Sequence, residues 1–303
     1  MIKQIQRKNI DDERWNSIIA ASKHETIYPY TWYMDASADQ WFGLVMGDYE
    51  FVMPVAYRKK YSIKYIYQPF HNQQLGIHSE KIVEDEISQM FLDKIYSDFL
   101  KGDYSFNSGN TLFEKPGYTL NSRQNYVLSL NGEYESLQKN YTSNARRNLR
   151  KSSQFELEIS DSIGVKEFVE FKHNNNRKSE GDAYYQNMTR LLLELERMGK
   201  SKLFGVYLDK ELVAAAVFLF SERRIIDMLA ASNEKGRESL AMYHLIDTSI
   251  RKHAGEDILL DFEGSSIKSI ARFFGDFGAT PEIYQRVNYN RLPLKETKGK
   301  KNV

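Results

Sequence analysis

The same order of apolar runs and polar turns occurs twice along the chain. FGLVMGDYEFVMPV begins at Phe42 and FGVYLDKELVAAAV begins at Phe204, and each predicts two apolar strands joined by a short polar turn, a β-hairpin. A segment with helical spacing and then a short strand follow each hairpin. The repeat is about half the chain long, which is too long for one unit of a solenoid. We therefore interpret it as a duplicated domain, with two unrelated hairpins as the alternative.

The pattern of the second half predicts a mixed sheet with helices on its faces, an α/β fold. The predicted strands are 125–130, 155–159, 202–208, 211–220, 224–231, 257–262 and 282–289. The predicted helices are 133–152, 164–177, 183–198 and a segment that leads from 237 to the strand at 257. Two-residue turns join the three strands between 202 and 231, so these neighbours must be antiparallel. The helix before 257 has the length of a crossover connection, and we expect a parallel pair there.

Composition narrows the class of protein. Of 303 residues, 41% are hydrophobic and 13% aromatic, enough for a sizeable core. Lys and Arg number 42 against 41 Asp and Glu, which argues against DNA or broad nucleic-acid binding. There is no cysteine, the six histidines show no metal-ligand spacing, and no apolar run approaches 20 residues. We expect a cytoplasmic globular protein with no membrane span, no signal peptide and no metal.

A local cluster of positive charge stands out against this balance. The segment 139–151 carries five cations and no acid, while the whole chain has a net charge of +1. Arg146 and Arg150 lie opposite an apolar stripe of the predicted helix, and Arg147 and Lys151 share an adjacent face. The cluster is either a solvated helix face or a site for a phosphate or carboxylate, which paired guanidinium groups bind well.

Two carboxylates are candidates for acid–base chemistry. Asp261 and Glu263 flank Phe262 at the end of a predicted strand, where α/β sheets border ligand crevices. Either carboxylate, Glu263 first, is a candidate general base for an attacking amine. The alternative is a turn or helix-capping role. Tyr243 is a candidate general acid, although an aromatic residue at helical spacing also fits a core position.

One polar, aromatic loop is a candidate lining for a cleft between the two halves. YQPFHNQQLG begins at Tyr67 and contains His71, Gln73 and Gln74. These side chains are suited to binding a polar substrate. An ordered surface loop is the alternative.

Two longer motifs resemble those of Fem-like proteins, a group that includes the Acetyltransf_6 or BioF2-like acetyltransferases. SNARRNLRKSSQF is similar to their basic helix, and LLDFEGSSIKSIARFFGDFGATPEIY to their closing motif. The resemblance implies two tandem GNAT-like domains. We place a more divergent N-terminal domain at 1–121, a C-terminal domain at 122–294, and a disordered basic tail at 295–303.

The resemblance also implies a reaction, the transfer of an acyl or aminoacyl group to an amine. We expect an N-acyltransferase whose small-molecule acceptor lies in the cleft between the halves. The implied donor is acyl-CoA or aminoacyl-tRNA, which makes tRNA a possible partner. A non-catalytic binding protein of the same fold and a tRNA-dependent transferase of the peptidoglycan-bridge type are the alternatives.

The chain departs from the family pattern at two places. The stretch equivalent to the CoA pyrophosphate loop is NEKGRESLAMYH, in which Gly236, Arg237 and Ser239 are the candidate cofactor contacts. Glu238 stands at the next motif position and would repel a pyrophosphate. In the closing motif Arg272 is a candidate anion ligand, but Phe274 occupies the place where Fem-type transferases often carry a lysine.

Overall fold

A computed structural model describes residues 1–176, 180–264 and 267–293, which form two β-sheets covered by helices. The strands of the first half are β1 (Ile2–Gln6), β2 (Trp41–Met46), β3 (Phe51–Lys60), β4 (Ile63–Ile66) and β5 (Lys101–Ser105). Its α-helices are α1 (Asp12–Ala21), α2 (Thr31–Ser37) and α3 (Asp85–Asp98).

The second half contains more elements. Its strands are β6 (Thr119–Ser129), β7 (Glu158–Ser160), β8 (Ser201–Leu208), β9 (Glu211–Phe220), β10 (Arg224–Ser232), β11 (Leu259–Asp261) and β12 (Thr280–Asn290). Its helices are α4 (Tyr134–Lys139), α5 (Ser143–Ser152), α6 (Val165–Asn175), α7 (Asp182–Arg197), α8 (Glu234–Glu238), α9 (Ala241–His253) and α10 (Lys268–Gly275). Each predicted strand of this half overlaps an observed one, but β6 begins at Thr119 rather than 125 and β7 begins at Glu158 rather than 155.

Two predicted helices are each divided in two. The segment 133–152 forms α4 and α5, because Thr142 adopts an extended conformation and its side chain caps α5 by accepting a hydrogen bond from the backbone N–H of Ala145. The segment from 237 forms the end of α8 and then α9, separated at Leu240, whose φ of 58° is left-handed. A left-handed residue cannot continue an α-helix.

The two halves repeat one order of elements. In the first half a strand, two helices, a hairpin, a third strand, a helix and a strand follow one another as β1-α1-α2-β2-β3-β4-α3-β5. The series from β7 to β11 repeats this order, with the short α8 added. As predicted, β8, β9 and β10 are antiparallel neighbours and β10 pairs with β11 in parallel. The predicted α/β fold with two related halves is confirmed.

The sheets do not separate at the predicted domain boundary. One sheet has the order β1-β2-β3-β4, and the other has the order β5-β12-β6-β11-β10-β9-β8-β7. Strand β5 of the first half thus pairs with β12 at the edge of the second sheet. The predicted boundary at 121/122 falls inside β6 and stays a prediction. The predicted basic tail lies outside the described residues.

A buried ion-pair cluster holds the halves together at the centre of the larger sheet. Arg224 is 3% exposed, and its guanidinium donates to Asp261 (2.7 Å) and Glu282 (2.8 Å). Its Nε donates to the main-chain oxygen of Glu25, in the first half, at 3.1 Å. The Glu25 carboxylate in turn accepts from the hydroxyl of Ser221 at 2.9 Å. The buried charges of Arg224, Asp261 and Glu282 are tolerated because they are paired and hydrogen-bonded.

Replacing Arg224 with Met should strongly destabilise the protein. The substitution leaves the carboxylates of Asp261 and Glu282 buried without their cation, which costs about 3–5 kcal/mol of unfolding free energy. As the control, Arg197→Met removes an exposed pair with Glu194 and should cost less than about 1 kcal/mol. Urea denaturation measures both losses, and equal losses in the two variants would contradict a structural role for Arg224.

Candidate active site

The parallel strands β10 and β11 stop pairing in the middle of the larger sheet. Their register ends at Ile226 opposite Asp261. Immediately beyond it, β10 has a register shift against β9 between Asp227 and Leu229. Glu263, two residues after the end of β11, has a φ of 44°. Bulges and left-handed residues redirect side chains and are common beside active sites. The place where the strands end their pairing therefore carries three carboxylates, those of Asp227, Asp261 and Glu263.

Glu263 is half-buried and lies against the first half of the chain. The hydroxyl of Tyr28, which is fully buried, donates a hydrogen bond to its Oε1. Burial, opposed by the Tyr28 hydrogen bond and reinforced by the nearby carboxylates of Asp261 and Asp227, raises the pKa of Glu263 to about 8. A carboxylate with a pKa in this range can accept a proton near neutral pH. The strand end predicted to hold a base therefore has suitable electrostatics.

Asp261, the other predicted carboxylate, is tightly engaged. It is 1% exposed, and it accepts hydrogen bonds from Asn125 (2.8 Å), Arg224 (2.7 Å) and the backbone N–H of Glu263 (3.0 Å). Burial raises its pKa, against the opposing charge of Arg224. In this geometry Asp261 fixes the turn that presents Glu263. Its catalytic role stays a prediction.

Asp227 and Lys172 belong to this region but were not found from the sequence. Asp227 is buried, and its Oδ1 has no hydrogen-bond partner among the described residues. Burial raises its pKa to about 7, opposed by the charge of Lys172. Burial also lowers the pKa of Lys172, whose Nζ donates to the main-chain oxygen of Ala230 at 3.1 Å. The sequence does contain one indication of Asp227, because it is the only acidic residue within the otherwise mostly apolar segment RIIDMLAA.

The predicted cleft loop does reach this region. Gln74 donates to Gln73 (2.7 Å), and Gln73 donates weakly to Asn125 (3.4 Å), the partner of Asp261. His71 is half-buried, and its ring centroid lies 5.4 Å from that of Tyr184. Burial lowers the pKa of His71 to about 4, so the imidazole is neutral at pH 7.

We call Glu263, Asp227, Tyr28 and His71 the inter-half site. Its members interact electrostatically. The charge of Lys172 lowers the pKa values of both His71 and Asp227. The charge of Asp227 raises the pKa of Glu263, and the hydrogen bond from Tyr28 lowers it. Side chains from both halves of the chain therefore meet at the end of the β10–β11 pairing.

Tyr243 lies in a different cluster. Its hydroxyl donates to Asp276 at 2.8 Å, and its ring packs against Phe273 at 4.7 Å. Burial and the Asp276 hydrogen bond raise its pKa to about 12. Asp276 also accepts from Thr142 and Asn144, so this cluster ties the start of α5 to α9 and to the end of α10. Tyr243 is placed for packing, and its predicted role as an acid stays a prediction.

The candidate cofactor loop is occupied by internal contacts. The backbone N–H of Gly236 donates to Asn233, which caps α8, at 2.8 Å. A Cβ at Gly236 would lie 2.1 Å from the main-chain oxygen of Val213, so glycine is needed for packing. Ser239 is fully buried, and the exposed Arg237 donates to the main-chain oxygen of Ser232. Contacts from these residues to a cofactor stay a prediction.

The predicted basic residues divide into two groups. Arg146, Arg147, Arg150 and Lys151 are exposed on α5, and their anion-binding role stays a prediction. Arg272 lines a groove of about 1040 Å³ between β6, the start of α5 and α10, which we call the α10 groove. Phe274, at the place of the family lysine, is buried and stacks on Phe262 with ring centroids 4.5 Å apart.

The described residues contain no helix long and apolar enough to cross a bilayer. Within the same residues, no group of three or more His, Asp or Glu side chains is arranged to hold a metal ion.

Comparisons with known proteins agree with this fold. The family model described as "Acetyltransferase (GNAT) domain" matches residues 136–263. A comparison with curated protein sequences gave no significant match. The crystal structure of FemX superposes with a TM-score of 0.65 at 11% identity, over 93% of this chain and 96% of that chain. A GNAT-family acetyltransferase from Colwellia psychrerythraea gives 0.51 at 13% identity, over 96% and 100%. A tandem GNAT protein from the clavulanic acid biosynthesis pathway gives 0.51 at 9% identity, over 95% and 98%.

These findings define the fold. It is shared with FemX and with a tandem GNAT protein, and it has two GNAT-like halves in tandem, as the two sequence motifs predict. Residues 136–263, which match the model of that domain, contain Asp227, Asp261 and Glu263.

Replacing Gly236 with Ala should destabilise the protein in the absence of any ligand. The new methyl group would press on the Val213 carbonyl, and overpacking of this kind costs about 1–3 kcal/mol. Gly275→Ala is the matched control, because Gly275 is also helical and open space surrounds its Cβ position. Thermal unfolding compares the two, and an unchanged melting temperature for Gly236→Ala would remove the packing explanation.

The pKa of Glu263 makes stability depend on pH in a definite direction. Its ordinary value is 4.5, and burial raises it to about 8, so between these values the folded state holds a proton that the unfolded state has lost. The unfolding free energy of the wild type should therefore fall, relative to that of Glu263→Gln, as pH rises through this window. Urea denaturation across the window measures the difference. The exposed Glu238→Gln should track the wild type, and parallel curves for Glu263→Gln would contradict the raised pKa.

Proposed function

We propose that the protein transfers an acyl group to an amine bound at the inter-half site, with Glu263 as the general base. The GNAT family match and the tandem fold support acyl transfer as the general reaction. The observation that carries the proposal is the half-buried carboxylate of Glu263, with a pKa near 8, at the point where β10 and β11 stop pairing.

The residues of the site suit the chemistry of an amine acceptor. An alkylamine is an ammonium ion at pH 7 and must lose a proton before it can attack a carbonyl carbon. In its ionised form, whose fraction grows as the pH rises toward about 8, Glu263 attracts the ammonium group together with Asp227 and takes its proton. The free amine then attacks the acyl carbon, and the carrier of the donor leaves. Positioning and one proton acceptor are sufficient for this reaction.

The first half of the chain contributes to this step. The Tyr28 hydroxyl fixes the orientation of Glu263 by hydrogen bonding, and its buried ring excludes water on that side. His71 is neutral at pH 7 and presents a ring nitrogen, Nε2, that has no hydrogen-bond partner among the described residues. We assign His71 to binding a polar group of the acceptor.

The donor is acyl-CoA or aminoacyl-tRNA. The contacts of α8 disfavour a pyrophosphate at that helix, because Asn233 already accepts a hydrogen bond from the Gly236 N–H and both Glu234 and Glu238 carry negative charge there.

The contacts of α8 also favour a second candidate function, a non-catalytic protein that binds an amine at the inter-half site. Stabilisation by acetyl-CoA separates the two, since a ligand at 100 times its Kd adds about 2.7 kcal/mol.

Glu263→Gln should lower kcat by a factor on the order of 10²–10⁴ while KM changes little, because it keeps the shape of the side chain and removes the base. The assay pairs acetyl-CoA or charged tRNA with a panel of small amines. Glu238→Gln, an exposed change outside the site, is the control and should keep the full rate.

Full activity of Glu263→Gln across pH would place the base elsewhere. Absence of turnover in the wild type with every donor, together with saturable binding of an amine, would favour the binding protein.

A further inference from the structure

We propose that the α10 groove binds the phosphate groups of a nucleotide, and that this nucleotide is the carrier of the acyl donor. The second part rests on the proposed function, whereas the binding site itself does not. The groove has a volume of about 1040 Å³, which is at the upper end of the range for small-molecule sites and accommodates a nucleotide.

The charge of the groove favours an anion. Arg123, Lys268 and Arg272 line it, and none of the three forms an ion pair among the described residues. The Nε of Arg123 is buried and has no hydrogen-bond partner in that part of the chain. Asp276 also lines the groove, but its carboxylate already accepts from Thr142, Asn144 and Tyr243. Guanidinium and ammonium groups in this arrangement suit phosphate oxygens.

The remaining lining suits a nucleobase. Tyr126 offers a half-buried aromatic ring, on which a base can stack with about 1–3 kcal/mol of favourable free energy. The side chain of Gln124 offers an amide donor and acceptor for the edge of a base. A site for an inorganic anion would need only the three cations, so the ring of Tyr126 favours a nucleotide.

The groove lies beside the inter-half site along β6. Arg123 is opposite Tyr284 in the β6–β12 register, and Asn125 is opposite Glu282. Along β6, Arg123 lies two residues, about 7 Å, from the Asn125 that donates to Asp261. A carrier bound in the groove would therefore hold its acyl group close to Glu263. This position does not depend on α8, whose backbone donor at Gly236 is engaged.

The test measures binding and needs no turnover. Isothermal titration calorimetry of the full chain with ADP, CoA and a short single-stranded RNA identifies the source of the nucleotide. We expect at least one of the three to bind. Arg123→Gln and the double variant Lys268→Gln/Arg272→Gln should each weaken that binding about tenfold or more. Tyr126→Leu should weaken nucleotide binding and leave the binding of inorganic pyrophosphate unchanged.

The controls keep the inference separate from the proposed function. Lys166→Gln/Lys202→Gln removes two exposed cations that do not line the groove and should bind the nucleotide as the wild type does. Glu263→Gln should also bind normally. Wild-type affinity in the groove variants, or no binding of any nucleotide at millimolar concentration, would overturn the inference. Selective loss of binding in the groove variants, with no turnover in the wild type, would support the site and contradict the transferase.

Discussion

The structure depends on the buried guanidinium of Arg224. It connects three strands of the larger sheet, β10, β11 and β12, and it reaches the first half through the main-chain oxygen of Glu25. Its desolvation is costly, so it imposes exact pairing on its partners. Asp261 is held in this way, and Asp261 in turn holds the backbone N–H of Glu263. The ion pair between Arg224 and Asp261 thus helps to fix the backbone of the candidate base, Glu263.

The same cluster separates the protonation behaviour of neighbouring acids. Despite burial, hydrogen bonds from Arg224 hold the pKa of Glu282 below its usual value. Burial raises the pKa values of Glu263 and Asp227 to about 8 and about 7, and it also raises the pKa of Asp261 although Arg224 pairs with it. Glu282 is therefore ionised at neutral pH, whereas Glu263 and Asp227 can hold a proton there. Pairs of acids with divergent pKa values are typical of acid–base sites.

Sequence patterns predicted what depends on local spacing. The paired hairpins, the parallel β10–β11 pair and the position of Glu263 at a strand end all follow from short runs of residues. The long-range contacts did not follow. Thr142, where the predicted helix is divided, donates a hydrogen bond to Asp276, which lies 134 residues away. The place of Asp227 in the site could not be predicted without knowing that Lys172 contacts β10. The need for glycine at position 236 could not be predicted without knowing that the Val213 carbonyl lies beside it.

The duplication explains why the site needs both halves. Each half repeats the same order of elements, yet the carboxylates come from the second half, whereas Tyr28 and His71 come from the first. Strand β5 of the first half pairs with β12, so the halves share a sheet as well as a site. The Tyr28 hydroxyl donates to Glu263, whose pKa is raised by burial against this hydrogen bond. A second half without the first would expose Glu263 to water, and its carboxylate would then be too acidic to serve as a base at neutral pH.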